Sequence, residues 1–376
     1  MSKRLLIVAG ESSGELYGAL LAAELRRMAP DVRIMGVGGE RMEAEGVEII
    51  RRVSGAFGLT ELVSHIRELR ATFREILQRI DQDRPQAAIL IDFPDFNFRA
   101  AAELKRRGVP VLYYVSPQLW AWRAGRIKKM KALADRVALI LPFEEEIYRK
   151  AAVPHEFVGH PVLDEISGMT PPKKADMGLD GARPLLSLLP GSRPSELKRH
   201  LPLFFDVMSL FRREFPEWQF FMPVAPNLKT GPFSEQFRAF RESGVVIRKE
   251  NAVGALAASD AALIASGTAT LQAAFLERPF TVVYRLSPLT FHIAKALVKV
   301  KYVSLVNILS GGQAVKEFLQ DKANSGDVMA ELRRIVKDAG YRRQMVSVFR
   351  DVRAMFGGRS ASARVAEMVC EMAGWR

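Results

Sequence analysis

Two α/β units in tandem, each a parallel sheet wrapped by helices, are what this sequence predicts. Short apolar runs alternate with amphipathic helical stretches, the pattern of parallel sheets with helices on both faces. The runs are almost continuously apolar, as strands covered on both sides must be. The alternation also stops once, at residues 167–184, and then restarts.

In the first half, runs at 4–9, 32–37, 87–91, 109–115 and 137–141 read as strands, with helical patterns such as 16–28 and 59–80 between them. The break, SGMTPPKKADMGLDGARP, carries three prolines and three glycines and reads as a linker. Runs at 185–189, 218–224, 245–247, 261–265 and 280–284 follow, and the tail is helical from Val328, ending with a helix at 361–372. The expected domains are 1–168 and 183–352. In such folds ligands lie at the carboxyl ends of the strands.

Composition narrows the function classes. The 376 residues suit two domains, and 48% hydrophobic content supports sizeable cores. The single cysteine, Cys370, excludes an internal disulfide and a cysteine-based zinc site, and suits a reducing compartment. The apolar run after Lys3-Arg4 is too short for a signal-peptide core, and no stretch has transmembrane length. A cytoplasmic protein is expected. The net charge of +13 suits an anionic partner: nucleic acid, an anionic membrane or a phosphorylated small molecule. Charge alone does not choose among these, or exclude a merely basic surface. The five histidines are scattered, and Asp81-Gln82-Asp83 ends a helix rather than closing a strand. No metal and no cofactor are expected.

The first strand runs into Gly10-Glu11-Ser12-Ser13-Gly14-Glu15, with a helix beginning near Gly14. Glycines admit close backbone approach, and a helix N-terminus attracts anions. The spacing is neither a Walker loop nor G-x-G-x-x-G. A plain turn capped by Ser12 or Ser13 fits as well, while Glu11 sits where this fold binds ligands. The strand at 87–91 runs into Asp92-Phe93-Pro94-Asp95-Phe96-Asn97. An acid leaving a buried strand is a general-base candidate, so chemistry falls to Asp92 and the helix cap to Asp95 or Asn97. Next, Ser116-Pro117-Gln118-Leu119-Trp120-Ala121-Trp122-Arg123 is dense enough in aromatics to wall an acyl or sugar pocket, or to pack its own loop. Arg123, Arg126, Lys128, Lys129 and Lys131 form a basic run, either a solvated helix face or a contact for phosphates or a membrane.

In the second half, Pro190-Gly191-Ser192-Arg193 precedes a helix containing Glu196 and Lys198. Small residues plus one arginine can clamp a diphosphate, and Ser192 can equally be an N-cap. In Ser266-Gly267-Thr268-Ala269-Thr270-Leu271-Gln272, backbone N–H groups and hydroxyls converge at a helix start, which suits phosphate. Asn307, in a predicted loop, either orients a sugar hydroxyl or caps a turn.

Taken in order, GESSGELYGA, GVGGERM, LIDFPDFN, YVSPQLWAWR, GRIKKM, LPFEEEIY, FVGHPVLD, LLPGSRPSELKR, ASDAALIASGTATL, YRLSPLTF, LVKVKYVSLVNIL and VKEFLQ resemble the conserved blocks of the lipid A disaccharide synthase family, from about Leu5 to about Asp321. The resemblance implies a GT-B fold, two Rossmann-like domains facing a cleft with the C-terminal segment 353–376 packing back on the first, and an inverting glycosyltransferase. Its donor would be UDP-2,3-diacylglucosamine and its acceptor 2,3-diacylglucosamine 1-phosphate, giving a β-1′,6-linked disaccharide 1-phosphate and UDP. The acceptor would bind the N-terminal domain and UDP the C-terminal one. The resemblance assigns catalysis to Glu11, Asp92, Arg193 and Asn307. Gly10, Ser13, Gly14, Asn97, Ser116, Gln118, Gly191, Ser192, Ser266, Gly267, Thr268, Ala269 and Gln272 become substrate-binding candidates. The family usually has glutamate where this chain has Gln272, proline where it has Glu40 and Val306, and a more polar pair at Gly312-Gln313, so the chain departs from the pattern there.

With acylated substrates, a peripheral enzyme on the cytoplasmic face of a Gram-negative inner membrane is implied, and a homodimer is compatible. The stripe Leu59, Leu62, Val63, Ile66, Leu69, Phe73, Ile76, Leu77 and Ile80 could meet that anionic surface or bury itself against its own sheet. The rival readings are another UDP-N-acetylglucosamine enzyme of this fold, a cell-wall transferase or a 2-epimerase, and a basic nucleic-acid or membrane-binding protein. No nucleic-acid module is present, and a nucleic-acid partner is not expected.

Overall fold

The computed structural model describes residues 3–10, 12–52, 62–121, 124–226, 228–287, 291 and 300–375, with backbone only over 62–69 and at 124. Glu11, Trp122, Arg123, His292 and Leu59 lie outside the described residues, as do the side chains of Leu62, Val63, His65, Ile66 and Leu69. The chain divides into two compact units, Met1–Asp164 with Phe356–Arg376, and Glu165–Met355.

The first unit alternates β1 (Arg4–Ala9), α1 (Ser12–Met28), β2 (Arg33–Gly38), α2 (Glu40–Ala44), β3 (Glu48–Arg52), α3 (Leu62–Asp83), β4 (Ala87–Ile91), α4 (Pro94–Arg106), β5 (Val111–Tyr114), α5 (Ile127–Leu133), β6 (Arg136–Leu139), α6 (Glu144–Lys150) and β7 (His155–Phe157), and enters α7 (Pro161–Ser167). Its seven strands are parallel, in the order β3-β2-β1-β4-β5-β6-β7. Leu5 to Val8 and Ala87 to Ile91, at the centre, are fully buried, which is why those stretches carry no polar residue.

The second unit alternates β8 (Leu185–Leu189), α8 (Pro194–Glu214), β9 (Gln219–Val224), α9 (Ser234–Glu242), β10 (Val245–Lys249), α10 (Ala252–Ala258), β11 (Ala261–Ala265), α11 (Thr268–Phe275) and β12 (Phe280–Tyr284). A short helix at Leu305–Leu309, β13 (Glu317–Leu319) and the helices Ser325–Lys337 and Ala339–Ala354 complete it. This sheet is also parallel, ordered β10-β9-β8-β11-β12-β13.

The C-terminal helix Ala361–Met372 belongs to the first unit. Ser360 caps it by accepting from Ala363 N at 3.1 Å, and Asp164 accepts from Ser362 N at 2.7 Å. Arg364 grips Glu156 through two hydrogen bonds of 2.6 and 2.9 Å, and Trp375 Nε1 donates to Gln86 Oε1 at 3.1 Å.

One expectation needs correction, and one of two readings is decided for part of its stretch. The stretch 167–184 is not an open linker: it turns through a 3-10 helix at Lys174–Met177, and Met177 and Leu179 are buried against Leu185, Phe221 and Ala255. Its prolines and glycines shape turns on the second unit's surface. The described part of the α3 stripe is core, since Ile76 and Ile80 are buried and Phe73 and Leu77 pack against the same cluster. No described helix is long and apolar enough to cross a membrane.

Candidate active site

The strand orders place four loops in equivalent positions. In the first sheet the order reverses between β1 and β4, and in the second between β8 and β11. A reversal leaves a crevice between the loops that leave the two neighbouring strands, and α/β proteins bind ligands there. The loops flanking the two reversals are the one that leaves β1 at Gly10 and Asp92–Phe93 in one unit, and Pro190–Arg193 and Ser266–Gly267 in the other.

Asp92 is the first residue beyond β4, half-buried, and has φ +32°. Left-handed backbone is unusual outside glycine and tends to persist where a function needs the side chain aimed. Its N–H reaches Tyr114 O at 3.4 Å, so the end of β5 holds the bend. Val115, at the matching position after β5, has φ +63°, a rarer conformation for a β-branched residue. Two adjacent strand ends therefore turn sharply away from the sheet. Asp92 stands two residues before Pro94, the first residue of the 13-residue α4, at the positive end of that helix dipole. Burial pushes the Tyr113 phenol well above its ordinary pKa, and the Asp92 carboxylate adds to the rise.

The cap assignment in this segment is corrected. The N-cap of α4 is Phe93, without a side-chain cap, because Pro94 occupies the first helical position and has no N–H to satisfy. Asp95, in the first turn, pairs with Arg126, which also lies over the Phe98 ring at 5.7 Å. Arg126 is thereby held in the protein, whereas Lys128, Lys129 and Lys131 are exposed. Asn97 is fully buried and donates through Nδ2 to Ile91 O at 3.3 Å, tying α4 to the end of β4.

Gly10 has a packing reason of its own. A Cβ there would lie 2.2 Å from the Phe93 ring, so the ring of one switch-point loop covers the backbone of the other. Gly14 packs α1 against β4 without needing to be glycine, since a built Cβ would lie in ordinary contact, 3.6 Å from Ile91 Cγ2. Ser12 and Ser13 are already helical, half-buried in the first turn of α1. Glu15, not singled out from the sequence, accepts from Arg41 N at 3.0 Å and caps α2. Beyond β5, Ser116 is buried, donates to Pro117 O at 2.9 Å and shares a short hydrogen bond with Tyr148. Gln118 is exposed. Trp120 packs edge-on against Phe143 at 5.2 Å, a wall built at least partly for its own support.

In the second unit the two loops differ sharply. The N-cap of α8 is Arg193, not Ser192, and Pro194 is its first residue. Glu196 reaches back under the loop, where Oε2 accepts from Ser192 N at 2.9 Å and from Arg193 N at 3.2 Å. Gly191, at φ +120°, is needed there because a Cβ would lie 2.5 Å from the same oxygen. Two of this loop's N–H groups, those of Ser192 and Arg193, are thus already satisfied by a carboxylate. What it can offer an anion is the half-exposed Arg193 guanidinium, 3.3 Å from Glu196 Oε1. His200, which the sequence reading passed over, is buried and bridges two strand ends. Nδ1 lies 2.8 Å from Pro190 O and Nε2 accepts from Arg285 N at 3.0 Å, so Nδ1 carries the proton. Burial depresses its pKa and keeps the ring neutral.

The loop after β11 is open by comparison. Gly267, at φ +128°, is exposed with no atom within 4 Å of a built Cβ. The Thr268 and Ala269 N–H groups head α11 with no acceptor among the described residues, while Thr270 turns back to Gly267 O at 2.8 Å and Ser266 Oγ donates to Val303 O at 3.3 Å. Gln272, one turn further along, is buried and donates through Nε2 to Glu165 Oε2 at 2.8 Å. Asn307 lies in a helix, not a loop, and is fully buried. Nδ2 donates to Val315 O at 2.8 Å and Glu317 Oε1 at 2.7 Å, while Oδ1 accepts from Val315 N at 2.9 Å. Glu317 also accepts from Val303 N and Ser304 N, each at 2.9 Å. Asn307 thus clamps the segment 303–317 from within, and any influence on substrate passes through that segment's position.

A family model for lipid-A-disaccharide synthetase matches residues 5–366. The chain belongs to this family. Among its relatives, the lipid-A-disaccharide synthase of Anaeromyxobacter dehalogenans (strain 2CP-C) is 42% identical over 98% of this chain and 97% of its own length. That of Myxococcus xanthus (strain DK1622) is 39% identical with the same coverage. Two solved structures share the fold: the kitacinnamycin glycosyltransferase, at TM-score 0.64 and 15% identity over 99% of this chain and all of its own, and a Neisseria meningitidis UDP-GlcNAc 2-epimerase bound to UDP-GlcNAc, at TM-score 0.66 and 12% identity over 98% and 100%. The fold is therefore GT-B type, and the family is one of glycosyltransferases. The family match favours the transferase over the epimerase and the nucleic-acid readings.

Proposed function

We propose that this chain transfers 2,3-diacylglucosamine from UDP-2,3-diacylglucosamine to 2,3-diacylglucosamine 1-phosphate. The observation that carries the residue-level reading is Asp92, held at the positive end of α4 on a left-handed bend at the first sheet's switch point. Asp92 takes the proton from the acceptor 6-hydroxyl as its oxygen bonds to the donor anomeric carbon. The bond from that carbon to UDP breaks on the opposite face, which inverts the configuration. On the second unit, the Thr268 and Ala269 N–H groups and the Arg193 guanidinium take up charge on the departing UDP. Glu11 is proposed either to orient the acceptor or to tune Asp92. The test is incubation with both acylated sugars and mass spectrometry of the product. A tetraacyl disaccharide 1-phosphate is expected, and formation of an epimerised or unacylated product instead would overturn the reading.

Arg193→Ala is expected to weaken UDP binding by about 1.5–3 kcal/mol, the worth of a charge-assisted hydrogen bond. Because Ser192 N and Arg193 N are held by Glu196 through the backbone, the loop keeps its shape in the variant. Calorimetry giving the wild-type UDP affinity would remove Arg193 from the diphosphate site.

Both proposed substrates carry acyl chains, so the enzyme is placed at the cytoplasmic face of the inner membrane as a peripheral protein. Exposed Lys128, Lys129 and Lys131 supply cationic contacts worth about 1 kcal/mol each near an anionic surface. The docking face is assigned to the first half of the α3 stripe, its second half being core. Replacing Leu62, Ile66 and Leu69 together with serine is expected to leave the melting temperature near wild type and to cut sedimentation with anionic liposomes. A folded triple variant that sediments as wild type does would overturn this docking face.

A further inference from the structure

Two side chains on one face of α8 hold the loop that carries Arg193. Glu196 and His200 stand four residues apart, one helical turn, and face the same way. Glu196 takes the Ser192 and Arg193 N–H groups, and His200 takes the other end of the loop, with Nδ1–H donating to Pro190 O at 2.8 Å. The turn from β8 into α8 is therefore gripped through its main chain by the helix it leads into.

The far side of the imidazole is engaged as well. Nε2 accepts from Arg285 N at 3.0 Å, and Arg285 is the first residue beyond β12. In the sheet β8 and β12 are separated by β11, so their ends lie about 9–10 Å apart. The ring spans that gap. It is fully buried, flanked by the Tyr284 ring at 5.7 Å and the Phe204 ring at 6.4 Å between centroids. The exit of β12 is itself fixed from beyond, because Gln320 Oε1 accepts from Leu286 N at 2.6 Å and Gln320 Nε2 donates to Leu286 O at 3.3 Å. An apolar residue of the same size would fill the space but would hold neither Pro190 O nor Arg285 N.

We infer that His200 is a positioning residue for nucleotide binding: it fixes the Pro190–Arg193 loop against the exit of β12, so that the Arg193 guanidinium is in place before UDP arrives. The inference rests on Arg193 meeting the diphosphate, as proposed above. A loop already ordered loses less freedom on binding than one the ligand must order, and a guanidinium makes its strong contacts only from the right place and direction. His200 touches no ligand in this arrangement and acts through Arg193.

Calorimetric titration of the full chain with UDP, on His200→Phe, Arg193→Ala and the double variant, tests this. His200→Phe keeps an aromatic ring and loses both hydrogen bonds. It is expected to weaken UDP by about 5–20-fold in the wild-type background and by less than about twofold when Arg193 is already alanine, because residues that act together are not additive. A residue that only stabilises the fold lowers the melting temperature and leaves UDP affinity unchanged, or changes it equally in both backgrounds. If His200→Phe does not fold, His200→Gln carries the same expectation, since its amide extends to the Nε2 position and gives up the Nδ1–H tether to Pro190 O. A folded His200 variant with wild-type UDP affinity overturns the inference, as does an equal loss with and without Arg193, and in both cases the UDP site stands. An Arg193→Ala chain that binds UDP as wild type does removes the diphosphate site and the inference with it.

Discussion

Asp92→Asn is expected to lower turnover by about 10²–10⁴-fold, the usual worth of a general base, with UDP affinity and melting temperature as in wild type. The substitution isolates chemistry from folding for a specific reason. Residue 92 sits at φ +32°, a region that asparagine tolerates better than other residues bearing a Cβ. Asparagine is also nearly isosteric, so the bend held by Tyr114 O should persist. It cannot accept the proton of an acceptor hydroxyl. Asp92→Ala makes a useful contrast, since it removes the same base but adds strain and should also lower the melting temperature. A folded Asp92→Asn chain with near-normal turnover would take Asp92 out of the mechanism.

The sequence made the central strands and the four switch-point loops legible, because β1, β4, β8 and β11 are buried on both faces and write themselves as almost continuous apolar runs. It hid β3, β7 and β13, which are sheet edges. An edge strand exposes part of its surface, so EIIRR, HEF and EFL mix charge with apolar residues and carry no strand signature. The sites divide in the same way. Asp92 was legible because its position follows from a strand end. The partners of Gly191, Gln272 and Asn307 were not, because they depend on where a second side chain goes. Glu196, which fills the Pro190–Arg193 loop, reads in sequence as an ordinary acid in a helix's first turn. Glu165 reads as one more polar residue after a proline, yet it meets Gln272 from 107 residues away. His200 was passed over because it matches no ligand spacing, although both its ring nitrogens are engaged. Local patterns encode where the chain turns. The pairing of polar groups across the turns is a tertiary outcome.

Glu144→Gln is expected to stabilise the protein at alkaline pH, by an amount that grows as pH rises from about 6.5 to 8. Glu144 opens α6 and is 2% exposed, and its Oε2 has no hydrogen-bond partner. Burial pushes its pKa up to about 8, only partly offset by the Leu141 backbone and the neighbouring Trp120 indole. The sign follows from linkage. In the unfolded chain this carboxyl loses its proton near pH 4.5, whereas in the folded protein it keeps it to about 8. Between those values the unfolded state binds fewer protons, so stability falls as pH rises. His160 acts in the opposite sense, because burial lowers its pKa to about 3 and stability then falls as pH drops below about 6.5. Above about pH 7.5 His160 is neutral in both states, which leaves Glu144, the carboxyl raised to about 8, as the main source of the falling slope there. A glutamine keeps the volume and cannot ionise, so the slope should flatten. At pH 8 the gain should be on the order of 2–4 kcal/mol, or about 5–10 °C in melting temperature. The comparison is a set of thermal melts at pH 5, 6.5 and 8 on wild type and Glu144→Gln. Parallel pH profiles for the two proteins would mean that Glu144 ionises in the folded state at its ordinary pH, and that its burial is relieved by a contact with water.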